Sequence, residues 1–324
     1  MANYTIPENP QYTAEIRKLE NTDPANAETI LNPLVETLIG NTHAVKLETD
    51  KKANSTHTHS PRDCGLGKNL TFTGAVTGTY NGQAAKSVLI PDRKGCRFVV
   101  GTSTAGHTLK DCDYLCDGTA DQVEINNAIS ALPSTGGEVV ILAGTYNITA
   151  SIAVNKPNVK LRSNGNATVL KRMWNGTSPN GVIQVSGSNC CIEGFYIDGN
   201  NTSYTNGYNY GIYLTHLSCT MTRNVCYRNN HGIYLNGQSN NIITGNICHN
   251  NGYGIYLNSS KNNNIIGNIC YNNSGTGIQI TNSSNGNTIT GNTYNSNNNG
   301  IYMSSSNENI ISGNICNNNN VGIN

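Results

Sequence analysis

From about residue 200 onward, apolar side chains arrive in short alternating runs such as Ile233-Tyr234-Leu235 and Ile255-Tyr256-Leu257, each soon broken by Gly, Asn or Ser. Period-two alternation interrupted this often predicts short strands joined by turns rather than helices. The runs also recur. Gly-Ile pairs begin at Gly211, Gly232, Gly254, Gly277, Gly300 and Gly322, at intervals of 21, 22, 23, 23 and 22 residues. A second register agrees: Gly245-Asn246, Gly267-Asn268, Gly291-Asn292 and Gly313-Asn314, with Arg223-Asn224 in the equivalent earlier place. A unit of about 22 residues holding three short strands predicts one rung of an all-β parallel β-helix solenoid. The L-x-x-L-x-L spacing and helical return of leucine-rich repeats are absent.

Rungs of a parallel sheet stack about 4.8 Å apart, so residues one repeat apart become vertical neighbours. Ile212, Ile233, Ile255, Ile278, Ile301 and Ile323 then form an inward column, beside Leu214, Leu235, Leu257, Ile280 and Met303. Asn224, Asn246, Asn268, Asn292 and Asn314 form a turn column. A side-chain amide can donate to one rung and accept from the other, satisfying groups that a bent backbone leaves unpaired. The Gly before it supplies left-handed backbone geometry. Cys226, Cys248, Cys270 and Cys316 share one repeat position, with Tyr294 in the remaining slot, and alternation from the neighbouring Asn turns them inward as small buried thiols.

Composition supports order over low complexity. The 324 residues include 34 Gly and 55 Asn, 35 of those Asn after residue 200, yet the apolar positions stay periodic. Only 12% of residues are charged, 20 basic against 19 acidic, which gives no basic surface for nucleic acid. No run of 18 apolar residues is present, so no membrane insertion is expected. The opening MANYTIPENP has neither a basic nor an apolar signal-peptide region, so no secretory signal is expected. Eleven cysteines without a C-x-x-C spacing favour structural thiols over a metal site or disulfide framework.

Upstream, Val123, Ile125, Ala128, Ile129 and Leu132 fall at near-helical spacing and predict a capping helix at about 120–132, ended by Pro133 and Gly136-Gly137. The run CDGTADQVEINNAI through GGEVVILAGTYNIT resembles the opening of the pectate-lyase-like right-handed β-helix family found in phage tailspikes and tail fibres. With the repeats, the resemblance spans 112–324, which is expected to be the β-helix domain. Residues 61–111, Gly/Thr-rich with LTFTGAVTGTY and KSVLIP, resemble the small β spacers of tail fibres. In 1–60, Asp23-Pro24 supplies a helix start, and Ala27, Ile30, Leu31, Leu34, Val35, Leu38 and Ile39 form a stripe that one helix cannot bury alone. This segment resembles an N-terminal attachment and trimerisation region.

His57-Thr58-His59 places two imidazoles on one face of an extended stretch. In a three-fold fibre six such ligands could fill an octahedral iron-type transition-metal site, as in the His-x-His elements of long tail fibres that the resemblance suggests. Catalysis is harder to place. A glycosidase normally needs two carboxylates roughly 5–10 Å apart. Beyond residue 150 the acids are Glu193, Asp198 and Glu308, and strand alternation turns the first two to opposite faces unless a turn intervenes. Asp111, Asp113, Asp117, Asp121 and Glu124 miss the EF-hand spacing and fit a turn leading into a helix N-terminus.

The expected outward residues of the repeated strand are Tyr213, Tyr234, Tyr256, Gln279 and Tyr302. The tyrosines could stack sugar rings or form the face where solenoids meet. Arg223, Arg228, His216 and His231 read as solvated rim. Together these features, with the resemblance, imply a homotrimeric tail fibre or receptor-binding protein of a phage or phage-like particle. It would assemble in the bacterial cytoplasm, attach to baseplate or tail proteins through its N-terminus, and bind host surface polysaccharide through its β-helix. The alternatives are a tailspike polysaccharide depolymerase and a purely structural spacer. VGIN at 321–324 starts a new rung, and an open rung exposes strand edges, so a capping partner is expected there.

Overall fold

The structure, a computed structural model, describes residues 70–72, 78–80, 96–176, 179–205 and 208–324. The chain divides into two units, 1–93 and 94–324. In the first, the described residues form one antiparallel ladder, Leu70–Phe72 against Gly78–Tyr80. Residues 1–60, expected to form the attachment and trimerisation segment and including His57 and His59, lie outside the described residues.

The second unit is the expected parallel β-helix, with three sheets running its length. Each full rung contributes one strand to each: Ile242–Thr244 to sheet I, Ile247–His249 to sheet II and Tyr253–Asn258 to sheet III. Sheets II and III have eight strands each, and sheet I has ten. The solenoid starts before residue 112, because Arg97–Thr102 already pairs in parallel with Gly137–Ile141 and with Tyr114–Cys116. The register matches the repeat. Ile212, Ile233, Ile255, Ile278, Ile301 and Ile323 are successive partners in sheet III. In sheet II, Cys226, Cys248 and Cys270 stack in turn, followed by Tyr294 and Cys316. The first three cysteines and Tyr294 are fully buried, and the ten described cysteines are all free thiols.

Helix α1 (Gln122–Ala131) lies between the strands Tyr114–Cys116 and Gly137–Ile141 and buries Ile125, Ala128 and Ile129. Val123, expected in its apolar stripe, is exposed instead. No described helix is long and apolar enough to cross a membrane.

Three corners per rung are held by three asparagine ladders, not one. At the I–II corner Asn224, Asn246, Asn268, Asn292 and Asn314 stack as expected. At II–III the column is Asn229, Asn251, Asn273, Asn297 and Asn319; at III–I it is Asn241, Asn263, Asn287 and Asn309. The bonding repeats at each rung. The Asn246 backbone N–H and its Nδ2 both donate to Asn268 Oδ1, at 2.9 Å each, and Asn246 Nδ2 also donates to the Met221 carbonyl. The residue before each ladder Asn is left-handed, at φ between 52 and 69°: Gly245, Gly267, Gly291 and Gly313 at one corner, Asn250, Asn272, Ser296 and Asn318 at the next.

The repeated Gly-Ile glycines have a different cause. A Cβ on Gly254 would run into the Gly277 carbonyl and lie 2.9 Å from Cys270 Sγ, whereas one on Gly267 would meet nothing within 4 Å. Gly254→Ala is therefore expected to cost about 1–3 kcal/mol through overpacking. Gly267→Asn, keeping a residue that tolerates positive φ, is expected to be nearly neutral. Urea unfolding of both variants checks the contrast. Asn268→Ala strands the buried N–H of Asn246 and is expected to cost at least about 1–3 kcal/mol, read in the same assay.

Candidate functional site

The outward tyrosines form a packed plate. Tyr213 and Tyr234 stack at 5.4 Å with a 12° tilt, and Tyr234 lies 5.3 Å from Tyr256. A second column, Tyr210, His231 and Tyr253, interleaves with them; His231 stacks on Tyr253 and Tyr256 at 5.0 Å each. Tyr213 is buried rather than external, while Tyr234, Tyr256 and Tyr302 are half-buried. Their hydroxyls are engaged by the following rung: Asn236 Nδ2 donates to Tyr213, Asn258 Nδ2 to Tyr234 and Thr281 Oγ1 to Tyr256. Rings that stack along the axis cover one another's faces, leaving mainly edges to a sugar.

His231 is not solvated rim. It is 8% exposed, its Nδ1 has no partner, and burial pushes its pKa down to about 3. Arg223 pairs with Glu193, Arg228 sits 4.8 Å over the Tyr227 ring, and His216 is exposed. A further aromatic ladder went unseen in the repeat: Tyr227, His249 and Tyr271 on sheet II, spaced 4.8 and 4.7 Å. Its period matches, but the alternation of His and Tyr hides it.

Between this ladder and the sheet III plate, along the II–III corner, runs a groove of about 410 Å³. Asn201, Thr205, Asn229, Asn230, Asn250, Asn251, Gly252, Asn272 and Ser274 line it. Asn229 and Asn251 belong to the buried ladder and form the floor, whereas Asn250, Asn272 and Ser274 are exposed. The positive φ of Asn250 and Asn272 accompanies this outward placement. The lining offers hydrogen-bond donors and acceptors with no formal charge, no thiol and no carboxylate.

Several carboxylates elsewhere serve the scaffold. A turn does intervene between Glu193 and Asp198, so both face outward, but on sheets I and II respectively. Hydrogen bonds from Lys160 and Arg223 hold the Glu193 carboxyl below its usual range. Asp198 Oδ1 accepts the Asn200 N–H. Near α1, Asp111 and Asp117 close turns by accepting the Thr108 and Thr119 N–H groups, Asp113 accepts the Val99 N–H, and Glu124 Oε2 is buried without a hydrogen-bond partner. Asp121 takes Gly118 N–H on Oδ1 and Asn147 N–H on Oδ2.

The geometry defines a parallel β-helix carrying an uncharged polar corner groove. The family model described as periplasmic copper-binding protein (NosD) matches residues 98–274 and 147–324, and the chain belongs to that family. No curated protein matches it. Among solved structures, DFA-IIIase from Arthrobacter chlorophenolicus A6 is similar with a TM-score of 0.55 at 13% identity, covering 68% of this chain and 62% of that one. The mannuronan C-5 epimerase AlgE6 A-module of Azotobacter vinelandii gives 0.45 at 20%, over 65% and 76%. ORF18 of Geobacillus virus E2 gives 0.43 at 18%, over 70% and 60%.

The described residues do not fit copper. A copper site needs converging thiolate, thioether or imidazole donors. Of the stacked thiols, Cys226, Cys248 and Cys270 are sealed in the core, where mutual hydrogen bonding and burial push Cys226 and Cys270 well above the ordinary thiol range, while Cys316 is part-buried. Among described residues the one group of three potential His, Cys, Asp or Glu ligands is Cys116, Asp121 and Glu124, and both Asp121 oxygens are already engaged.

His231 generates a pH expectation. It stays neutral in the folded chain down to about 3, while an unfolded histidine titrates near about 6.5. Between those values the unfolded chain binds the extra proton, so this residue's contribution to stability is lost as pH falls from about 6.5 toward 3. His231→Tyr, matching Tyr210 and Tyr253 on the adjoining rungs, is expected to lessen that acid sensitivity in urea unfolding across the range.

Proposed function

We propose that the solenoid binds an uncharged cell-surface glycan and does not cleave it. The observation that carries this reading is the corner groove, whose exposed Asn, Ser and Thr side chains match the donor and acceptor pattern of sugar hydroxyls. A groove without a carboxylate has neither the acid nor the base that glycoside hydrolysis normally uses. In the finer form of the proposal the chain is the receptor-binding part of a phage or phage-like tail fibre. It forms a homotrimer, attaches through 1–60, and acts on the particle outside the cell. The tail-fibre resemblance of the segment opening at 112 supports that form, and His57 and His59 would hold an iron-type metal on the three-fold axis.

The test is to mix the full chain with purified bacterial surface polysaccharides and follow both binding and products. Binding without new reducing ends or unsaturated sugars is expected; products, or no binding across the panel, would overturn the proposal. Asn250→Gly with Asn272→Gly removes two groove side chains while keeping the left-handed backbone. Losing two hydrogen bonds is expected to weaken binding roughly tenfold. An unchanged affinity would place binding elsewhere.

A further inference from the structure

The few charges of the β-helix are spread unevenly. Five strands of sheet I, Arg97–Thr102, Gly137–Ile141, Val159–Ser163, Cys191–Glu193 and Thr220–Thr222, pair in register one above another. Their outer face carries Arg97, Glu138, Lys160, Arg162 and Glu193, and Arg223 directly follows the last strand. The next four strands of the sheet, from Ile242–Thr244 to Ile310–Ser312, hold no charged residue.

Each of the two carboxylates on this face is bridged by two cations. Glu138 Oε2 pairs with Arg97 at 2.9 Å and its Oε1 with Arg162 at 2.6 Å; Glu193 Oε2 pairs with Lys160 at 3.0 Å and its Oε1 with Arg223. The carboxylates lie deeper than the cations at either end. Glu138 and Glu193 side chains are 25% and 16% exposed, against 53% for Arg97 and 71% for Arg223. Four cations on two carboxylates leave two positive charges in excess, and Asp113 at the edge, accepting the Val99 N–H, offsets one. The cations also step sideways as the rungs advance. Lys160 shares the column of Arg97 two rungs on, Arg162 stands in the neighbouring column, and Arg223 lies past its strand two rungs later. The stripe thus crosses about 19 Å of the axis on a diagonal.

We infer that this stripe docks a phosphodiester-linked polyol polymer of a cell surface. A phosphodiester, like the Glu138 and Glu193 carboxylates, is a monoanion with two free oxygens that can bridge a pair of cations, and guanidinium forks suit it. A flexible polyol phosphate chain can follow the diagonal with charges that recur along its backbone. Nucleic acid fits less well. The outward residues between the cations, Val99, Val140, Cys191 and Thr220, offer no ring for base stacking, and the charge excess falls short of the roughly six to ten phosphate contacts of a strong duplex binder. The stripe lies on sheet I, away from the II–III corner, so the inference does not rest on the glycan-binding reading of the groove.

The test is calorimetric titration of the full chain with poly(glycerol phosphate), duplex DNA and polygalacturonate at low and high salt. Poly(glycerol phosphate) is expected to bind more tightly than the other two, and more weakly as salt rises. Arg97→Gln with Arg223→Gln leaves Glu138 its Arg162 and Glu193 its Lys160, so the thermal unfolding midpoint is expected to stay close to that of the parent. The same pair is expected to weaken poly(glycerol phosphate) binding roughly tenfold, and to leave binding of neutral polysaccharide unchanged. Lys261→Gln, an exposed cation in the III–I turn, is expected to change neither. No binding at low salt, equal binding of DNA or polygalacturonate, or binding insensitive to the Arg97 and Arg223 pair would each overturn the inference and leave the groove reading standing.

Discussion

A buried side-chain amide that replaces a missing backbone partner is the interaction on which this solenoid depends. Each rung bends three times, and each bend takes a backbone N–H out of the strand ladder. A buried N–H left unpaired costs about 1–3 kcal/mol. Asparagine offers that N–H its Oδ1 and returns Nδ2 to the neighbouring rung, so each corner is satisfied only while adjacent rungs stay in register. The long turn between Asp198 and Asn209 shows the constraint by interrupting it: Asn209 Oδ1 and Asn229 Oδ1, on either side of the break, are buried without a hydrogen-bond partner.

This division of labour within a turn links fold to function. The ladder asparagine points in and holds the rung, while the left-handed residue beside it presents its side chain to solvent. At the I–II corner that residue is mostly glycine, and the turn offers no side chain. At the II–III corner it is Arg228, Asn250, Asn272, Ser296 and Asn318 in turn, and Asn250 and Asn272 present uncharged amides to the groove. Membership of a family described by copper binding does not change this chemistry, because most described thiols fill the core, and Cys96, Cys191 and Cys316, which do not, belong to no cluster of three potential ligands among the described residues. A shared scaffold leaves function to the side chains set upon it.

Much of this was legible in the chain itself. The Gly-Ile and Gly-Asn dipeptides recur at a period that identified the rung, the inward isoleucines and the cysteine column, since a pair of unlike residues survives in an Asn-rich background. The other two ladders were not visible for the same reason. Their left-handed residues vary among Asn, Ser, Arg, Glu and Gly, so no dipeptide marks them. His231 looks solvated in the sequence because it stands where other rungs carry Tyr, and only packing shows the plate around it. The solenoid starts ahead of its regular repeat, because Arg97–Thr102 carries no repeat signature and owes its place to pairing with Gly137–Ile141. The groove could not be read from spacing, since it exists only where a long turn meets three short ones.

Hydrogen–deuterium exchange of the full chain, with and without a neutral polysaccharide that binds it, tests the central claim most directly. If the II–III corner is the binding surface, added protection will concentrate at residues 229–230, 250–252 and 272–275, with the Tyr234 and Tyr256 strands unchanged. Protection centred on those tyrosine strands, or spread evenly along the solenoid, would contradict it.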